Sequence, residues 1–313
     1  MTTRDSFEWS ADDGAKIFVH RWKPDGAPRA AVQIAHGMAE HGARYARFAE
    51  RLAGEGYLVW ANDHRGHGRT AKTEADVGHM GDEASFVRVV RDMLGLRAAL
   101  AAEAGAVPVA LFAHSMGSLA AQEALVHHGP CAWKSVVLSG SDAPGGALVS
   151  AGKQAAKLER LRQGARGKSA LLASLSFGSF NKAFKPARTP FDWLSRDPAE
   201  VDKYVADPRC GFRITNQSWI DLLVVLEGIG KGGYGTILPK DLPILAIAGA
   251  RDPVGKNGDG VRELVRKLRA AGLSGVREKI YADARHELLN ETNREEVTAF
   301  VLDFLRESLG LAA

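Results

Sequence analysis

A serine at a strand-to-helix turn is the first residue whose surroundings could do chemistry. In "LFAHSMGS" (Leu111–Ser118), Ser115 follows the apolar run "PVALFAH" and precedes a helical pattern. A tight turn at this point exposes Oγ and aims the next N–H, that of Met116, at a developing oxyanion. Strand and helix approach closely there, so the positions two before and two after the serine must be small. They are Ala113 and Gly117, where the motif G-x-S-x-G has glycine at both. Alanine is the next smallest residue, so the steric requirement is relaxed without being broken. Taken alone, the turn has a second reading, a serine that N-caps an ordinary helix.

A serine hydroxyl is a poor nucleophile near neutral pH and needs a base, which in turn needs an orienting acid. Asp252, in "ARDP", comes directly after the strand-like "PILAIAG", at a carboxyl end where open sheets gather catalytic groups. His286, in "DARHELLNE", follows the strand-like "VREKIYA". Either residue alone reads as a loop or structural position. What joins them is the order Ser, Asp, His, each after its own strand. Asp241 precedes its strand, and Asp283 is only three residues from His286, so neither suits the orienting role. A second oxyanion donor is expected from the loop "HGMAEHG" (His36–Gly42), where Gly37 lets the backbone turn so that the Met38 N–H joins that of Met116. Both are backbone donors, so the side chains are immaterial; the alternative is an ordinary glycine turn. His64 and His67 in "DHRGHGRT" raise a metal site, but their spacing matches no strong ligand motif, so no metal is expected. The turn at Gly66 and Gly68 reads as scaffold.

These residues need a sheet to hold them. "KIFVHRW", "AAVQIAH" and "YLVWAND" have strand character, and "RYARFAERLAGEG" has apolar residues at helical spacing. A longer helix is predicted over about 83–104, another from Met116 to about His128, then a strand in "KSVVLSG". After an interruption the alternation resumes with "PILAIAG", a helix near 260–271, "VREKIYA" and a last helix near 294–309. Buried apolar strands separated by amphipathic helices predict an α/β fold, a mainly parallel sheet with helices on both faces. Residues 1–140 and 239–313 would form that core. The stretch 141–238 contains fragments such as "ALLASLSFGSF" and the helical "PAEVDKYVAD", and is predicted to be an inserted, mostly helical cap.

Composition limits the classes of function. Apolar residues are 45% and charged residues 25% of the 313, as in ordinary globular proteins. No apolar run approaches the ~20 residues that cross a bilayer, and the first residues lack the apolar region of a signal peptide. Two cysteines, Cys131 and Cys210, make a disulfide framework unlooked-for and a reducing cytoplasm the default. The net charge of +4 is concentrated: over 145–189, Lys153, Lys157, Arg160, Arg162, Arg166, Lys168, Lys182, Lys185 and Arg188 face Glu159 alone. A solvated surface accounts for this, and so does attraction to anionic lipid surfaces or phosphate-bearing substrates. Nucleic acid is not expected, since no stacking aromatics are interleaved and no reader motif occurs.

With "HGMAEHGARYARFAERLAGEGYLVWANDHRGHGRT", "AHSMGS", "GARDPVG" and "ARHELLNE" assembled, the chain resembles the monoacylglycerol lipase and lysophospholipase branch of the serine α/β hydrolases. The resemblance implies an α/β-hydrolase fold and hydrolysis of carboxylic esters, with a monoacylglycerol or lysophospholipid as substrate and no cofactor. It implies Ser115 as nucleophile, Asp252 as acid, His286 as base, and Met38 and Met116 as oxyanion donors. Ala113 departs from the glycine of the pattern. The cap of such proteins shapes the acyl pocket and often touches membranes, so "ALLASLSFGSF" beside Lys182, Lys185 and Arg188 is a candidate apolar wall with a basic rim, peripheral to an anionic membrane. Two other readings stay open: a serine aminopeptidase or amidase on the same residues, and a hydrolase-like binding protein without turnover.

Overall fold

Every residue of "AAVQIA", "YLVWAN", "VALFAH" and "ILAIAG" is buried, as in strands covered on both faces. The computed structural model describes residues 2–127, 133–234 and 238–311, so Cys131, His128 and the chain ends lie outside the described residues. The strands are β1 (Thr3–Ser10), β2 (Lys16–Lys23), β3 (Ala30–Ala35), β4 (Tyr57–Asn62), β5 (Val109–His114), β6 (Ser135–Ser139), β7 (Ile244–Gly249) and β8 (Val276–Tyr281). They form one sheet in the order β1-β2-β4-β3-β5-β6-β7-β8. β1 and β2 are antiparallel to their neighbours, and all later pairings are parallel.

Alternate residues of each strand feed two cores. Helices α1 (Ala46–Gly54) and, near the chain end, α9 (Arg294–Ser308) cover one face, where Val32, Ile34, Phe112 and Ile247 meet Leu52 and Val301. Helices α2 (Ser85–Ala104), α3 (Met116–His127) and α8 (Asp259–Ala270) cover the other, where Ala35, Leu111 and Ala246 meet Met93, Ala120 and Leu264. Gln33 is the polar exception on that face. Its amide donates to the Met93 carbonyl at 2.8 Å and accepts from the Trp133 indole at 3.0 Å, so its burial leaves nothing unpaired.

Among the described residues, four more helices lie between β6 and β7: α4 (Ala147–Gln163), α5 (Ala170–Phe180), α6 (Pro198–Ala206) and α7 (Asn216–Gly232). Side-chain caps start three of them. Ser169, Asp197 and Thr215 accept the N–H groups of Leu172, Ala199 and Ser218, satisfying donors that a helix start leaves free. Ala156, Leu172 and Ile220 join α4, α5 and α7, and α7 continues into the sheet's own core through Leu222, Val225 and Ile229.

One strand escaped the sequence pattern. β1 is mostly exposed along "TRDSFEWS", so its apolar signal is confined to Phe7 and Trp9. It is an edge strand fixed by pairing with β2 and by Arg21, which holds Asp5 through two hydrogen bonds of 2.7 Å.

Candidate active site

β5 ends at His114 and α3 begins at Met116, so Ser115 alone makes the turn. Its φ is 50°, in the left-handed region that costs an ordinary residue on the order of 1–3 kcal/mol. The Ser115 N–H donates to the Ser139 carbonyl at 2.9 Å, and its own carbonyl accepts from the Ser118 N–H at 2.9 Å and the Ser118 hydroxyl at 2.6 Å. An N-cap residue has extended backbone and turns its side chain onto its own helix. Ser115 has neither property, since its Oγ faces His286 at 2.9 Å. Gly117 is required: a Cβ there would stand 2.6 Å from the His36 carbonyl oxygen and closer still to that of Ala35. Ala113 faces no such contact. It is fully buried in register with Ala35 and Leu138, and its methyl packs in the core beside Met116 and Ala120.

His286 and Asp252 arrive from the loops after β8 and β7. The His286 Nδ1 lies 2.8 Å from Asp252 Oδ2 while its Nε2 faces Ser115. Asp252 Oδ1 accepts the Val254 N–H at 2.9 Å, which fixes the carboxylate. Both side chains are buried. Burial opposes a charged imidazole, but the Asp252 charge and hydrogen bond, helped by Glu287 and Glu40, outweigh it, so the His286 pKa lies above its ordinary 6.5. The Trp193 ring, 5.3 Å between centroids, and the His114 ring, 4.7 Å, confine the imidazole.

Opposite, the loop after β3 brings Met38 to the same cavity as Met116. Among the described residues, neither N–H has a hydrogen-bond partner. Gly37 is small for a reason other than turning: a Cβ would meet Glu40 Oε1 at 2.8 Å and Ser115 Cβ at 3.2 Å. The positive φ of this loop falls at Ala39, 56°. Glu40 holds the loop from behind, accepting the Gly37 N–H at 2.6 Å and the Tyr45 hydroxyl at 2.8 Å.

Ser115 and His286 sit in a cavity of about 260 Å³, walled by Leu119, Phe180, Trp193, Leu194, Trp219, Leu222 and Leu226. Helices α5 and α7 supply much of that wall. Two carboxylates also border it, Glu40 and Glu287, and both are bound to Arg44 at 2.6 Å. Burial alone would raise the Glu287 carboxyl, yet Arg44 holds it at about 2. His114, buried beside His286, is pushed down to about 4 and is neutral. This Glu40–Arg44–Glu287 cluster was invisible in the sequence beyond the charged letters of "AEHGAR" and "RHEL", because Glu287 is 243 residues from Arg44. His64 and His67 are buried too, each pushed down by burial, to about 3 and about 4. His64 N–H donates to His36 Nε2 at 2.9 Å, and His67 Nδ1 pairs with the Arg65 carbonyl at 2.8 Å. At Gly68, φ is 49° and a Cβ would overlap Asp63, so this turn is scaffold.

Comparison with known proteins matches the chain to a family. The family model described as serine aminopeptidase, S33, matches residues 26–293. The monoacylglycerol lipase of Mycolicibacterium smegmatis is 28% identical over 97% of this chain and 99% of its own length. The monoglyceride lipase of Rattus norvegicus is 30% identical over 77% of this chain and 71% of its own. The chain belongs to the monoacylglycerol lipase family of α/β hydrolases. A crystal structure of a carboxyl esterase from Bacillus coagulans, bound to glycerol, superposes on this hydrolase with a TM-score of 0.88 at 27% identity, covering 98% and 99% of the two chains. Family membership makes the hydrolase a carboxylic ester hydrolase. Among its described residues no helix is long and apolar enough to cross a membrane.

Proposed function

We propose that Ser115 is the nucleophile, His286 the general base and Asp252 its orienting acid in hydrolysis of monoacylglycerols or lysophospholipids. The relay from Ser115 Oγ through His286 to Asp252, at 2.9 and 2.8 Å on the floor of an apolar cavity, carries this reading. Oγ attacks the ester carbonyl as His286 Nε2 takes its proton. The N–H groups of Met38 and Met116 receive the oxyanion, and loss of one such donor typically costs ~3 kcal/mol of barrier. As the tetrahedral intermediate collapses, His286 returns the proton to the leaving alcohol. A water, deprotonated by His286, then cleaves the acyl-serine and restores the hydroxyl. No step calls on a cofactor.

The substrate class rests on the cavity walls and on the lipases to which the chain is similar. Leu119, Leu222 and Leu226 suit an acyl chain. We assign residues 141–238 the part of a cap, since α5 and α7 close the cavity over Ser115. The outer side of α4 and α5 exposes Leu148, Leu158, Leu161, Leu171 and Leu175 among the lysines and arginines of 145–189, a surface suited to peripheral contact with anionic lipid. Co-sedimentation with anionic vesicles at low salt tests that contact, and its absence would sink it.

The family description names an aminopeptidase, which keeps that second reading in view. An aminopeptidase must pair a substrate ammonium with a carboxylate. Glu40 and Glu287, the carboxylates lining the cavity, are already held by Arg44, which favours the ester. A fluorophosphonate probe should label the wild type and not Ser115→Ala; persistent labelling refutes the nucleophile. Parallel assays with monoacylglycerols, lysophospholipids and aminoacyl anilides then separate the substrates.

A further inference from the structure

His41 is the second histidine of "HGMAEHG", and ester hydrolysis gives it nothing to do. Its Nε2 lies 2.8 Å from Asp207 Oδ2. The Cys210 sulfur joins them, so that the nitrogen, oxygen and sulfur all lie within 4.8 Å of one another. Among the described residues, no other three such donors converge so closely. The carboxylate is set in place from its far side, because Asp207 Oδ1 accepts the Arg209 N–H at 2.8 Å.

One nitrogen, one oxygen and one sulfur form the donor set of a tetrahedral zinc site that keeps a position for water. Bonds of about 2.0–2.3 Å to a central ion put neighbouring donors about 3.3–3.8 Å apart. The His41–Asp207 hydrogen bond therefore has to open by only about half an ångström, and the sulfur, within 4.8 Å of both, has at most about 1 Å to close. Asp207 also borders a polar cavity of about 190 Å³ with Arg47, Glu200 and Lys203, which gives a hydrated ion an approach. Of the cations around this cluster, Arg44 is neutralised by Glu40 and Glu287, and Arg47 and Lys203 both pair with Glu200, while Arg209 stands beside Asp207. In the metal-free protein, burial holds the Cys210 thiol protonated; an entering cation displaces that proton and takes the thiolate as ligand.

We propose that His41, Asp207 and Cys210 form a binding site for a thiophilic divalent cation of the zinc type. The site stands at a seam. The Gly211 N–H and the Tyr204 hydroxyl both donate to the Ala39 carbonyl at 2.9 Å. A cation replaces the third tie between segment 204–211 and the loop carrying Met38, the His41–Asp207 hydrogen bond, with coordination that also takes in Cys210. Binding at this site is independent of whether Met38 is an oxyanion donor.

Titration of metal-free protein with Co²⁺ reads thiolate ligation directly, through the near-ultraviolet thiolate-to-cobalt charge-transfer band. The band should saturate at one equivalent in the wild type and in Cys131→Ser, and be absent in Cys210→Ser. Zn²⁺ should raise the thermal unfolding midpoint of the wild type and leave that of His41→Gln unmoved. No band in the wild type, a band that survives Cys210→Ser, or one lost in Cys131→Ser overturns the proposal. If Cys210→Ser does not fold, as judged by circular dichroism without metal, His41→Gln decides: an undiminished Zn²⁺-dependent shift in that variant refutes the site.

Discussion

The Arg44 guanidinium grips Glu287, the residue next to His286, through two hydrogen bonds of 2.6 and 2.7 Å, and reaches Glu40 with a third. All three side chains are buried or nearly so. Arg44→Met keeps the volume but leaves two carboxylates without a cation. Breaking a buried pair this way costs about 3–5 kcal/mol, and urea unfolding should show a loss of that size. Arg44→Lys keeps the charge without the fork and should fall between. A wild-type midpoint in Arg44→Met would mean the cluster contributes nothing to the fold.

The two small residues flanking Ser115 should respond in opposite ways. Gly117→Ala drives a methyl into the carbonyls of Ala35 and His36, and the expected result is displacement of the turn and loss of esterase activity by orders of magnitude. Ala113→Gly removes one buried methyl and loosens a strand, costing roughly 1–2 kcal/mol of stability with activity retained. Equal activity of both variants would show that the close approach at Gly117 does not matter.

The pH–rate profile should carry the environment of His286. In the proposed mechanism only the neutral imidazole accepts the Ser115 proton, so kcat/KM should fall as pH falls through its pKa. Because that pKa is raised, the acid limb should lie above 6.5. Asp252→Asn removes the main raising influence and leaves burial, which lowers it. The limb should then shift toward acid while the rate drops by about 10⁴. A limb unmoved by Asp252→Asn would separate Asp252 from His286.

Stability should fall with acid in a range set by other histidines. Burial pushes down His36, His64, His67 and His114, the last three to about 3, 4 and 4. Between pH 6.5 and about 4 the unfolded chain takes up protons that the folded chain refuses. Their stabilising contribution is complete above 6.5 and declines below it, by about 1.4 kcal/mol per pH unit for each group. His286, with a raised pKa, opposes this with a single group. Unfolding free energies from urea titrations at pH 7 and pH 5 should differ by several kcal/mol, and equal values would show that these rings are protonated in the folded state.

What the sequence disclosed follows from how local each feature is. Strands such as "VALFAH" and "ILAIAG" were legible because burial on both faces writes an unbroken apolar run. Ser115 and Asp252 could be singled out because each follows such a run, and His286 because it follows the strand-like "VREKIYA", a rule that needs no contact map. Glu40, Arg44 and Glu287 could not, since a charged residue in a loop looks the same whether it ends in water or against a partner 243 residues away. Trp193 was missed for the same reason: it reaches His286 from a segment with no periodic pattern. The expected reason for Gly37 also changed, from turn geometry to its closeness to Ser115, and closeness leaves no mark on local sequence.

Ser115, Asp252 and His286 hang from three strands, β5, β7 and β8, and β6 must lie between the first two for the set to meet. Nothing shorter than the assembled sheet brings the hydroxyl to the imidazole. A reagent that modifies Ser115 is therefore also a clock. During refolding, the moment the serine becomes reactive marks the docking of β8, the strand at the far edge of the sheet and the last to emerge from a ribosome.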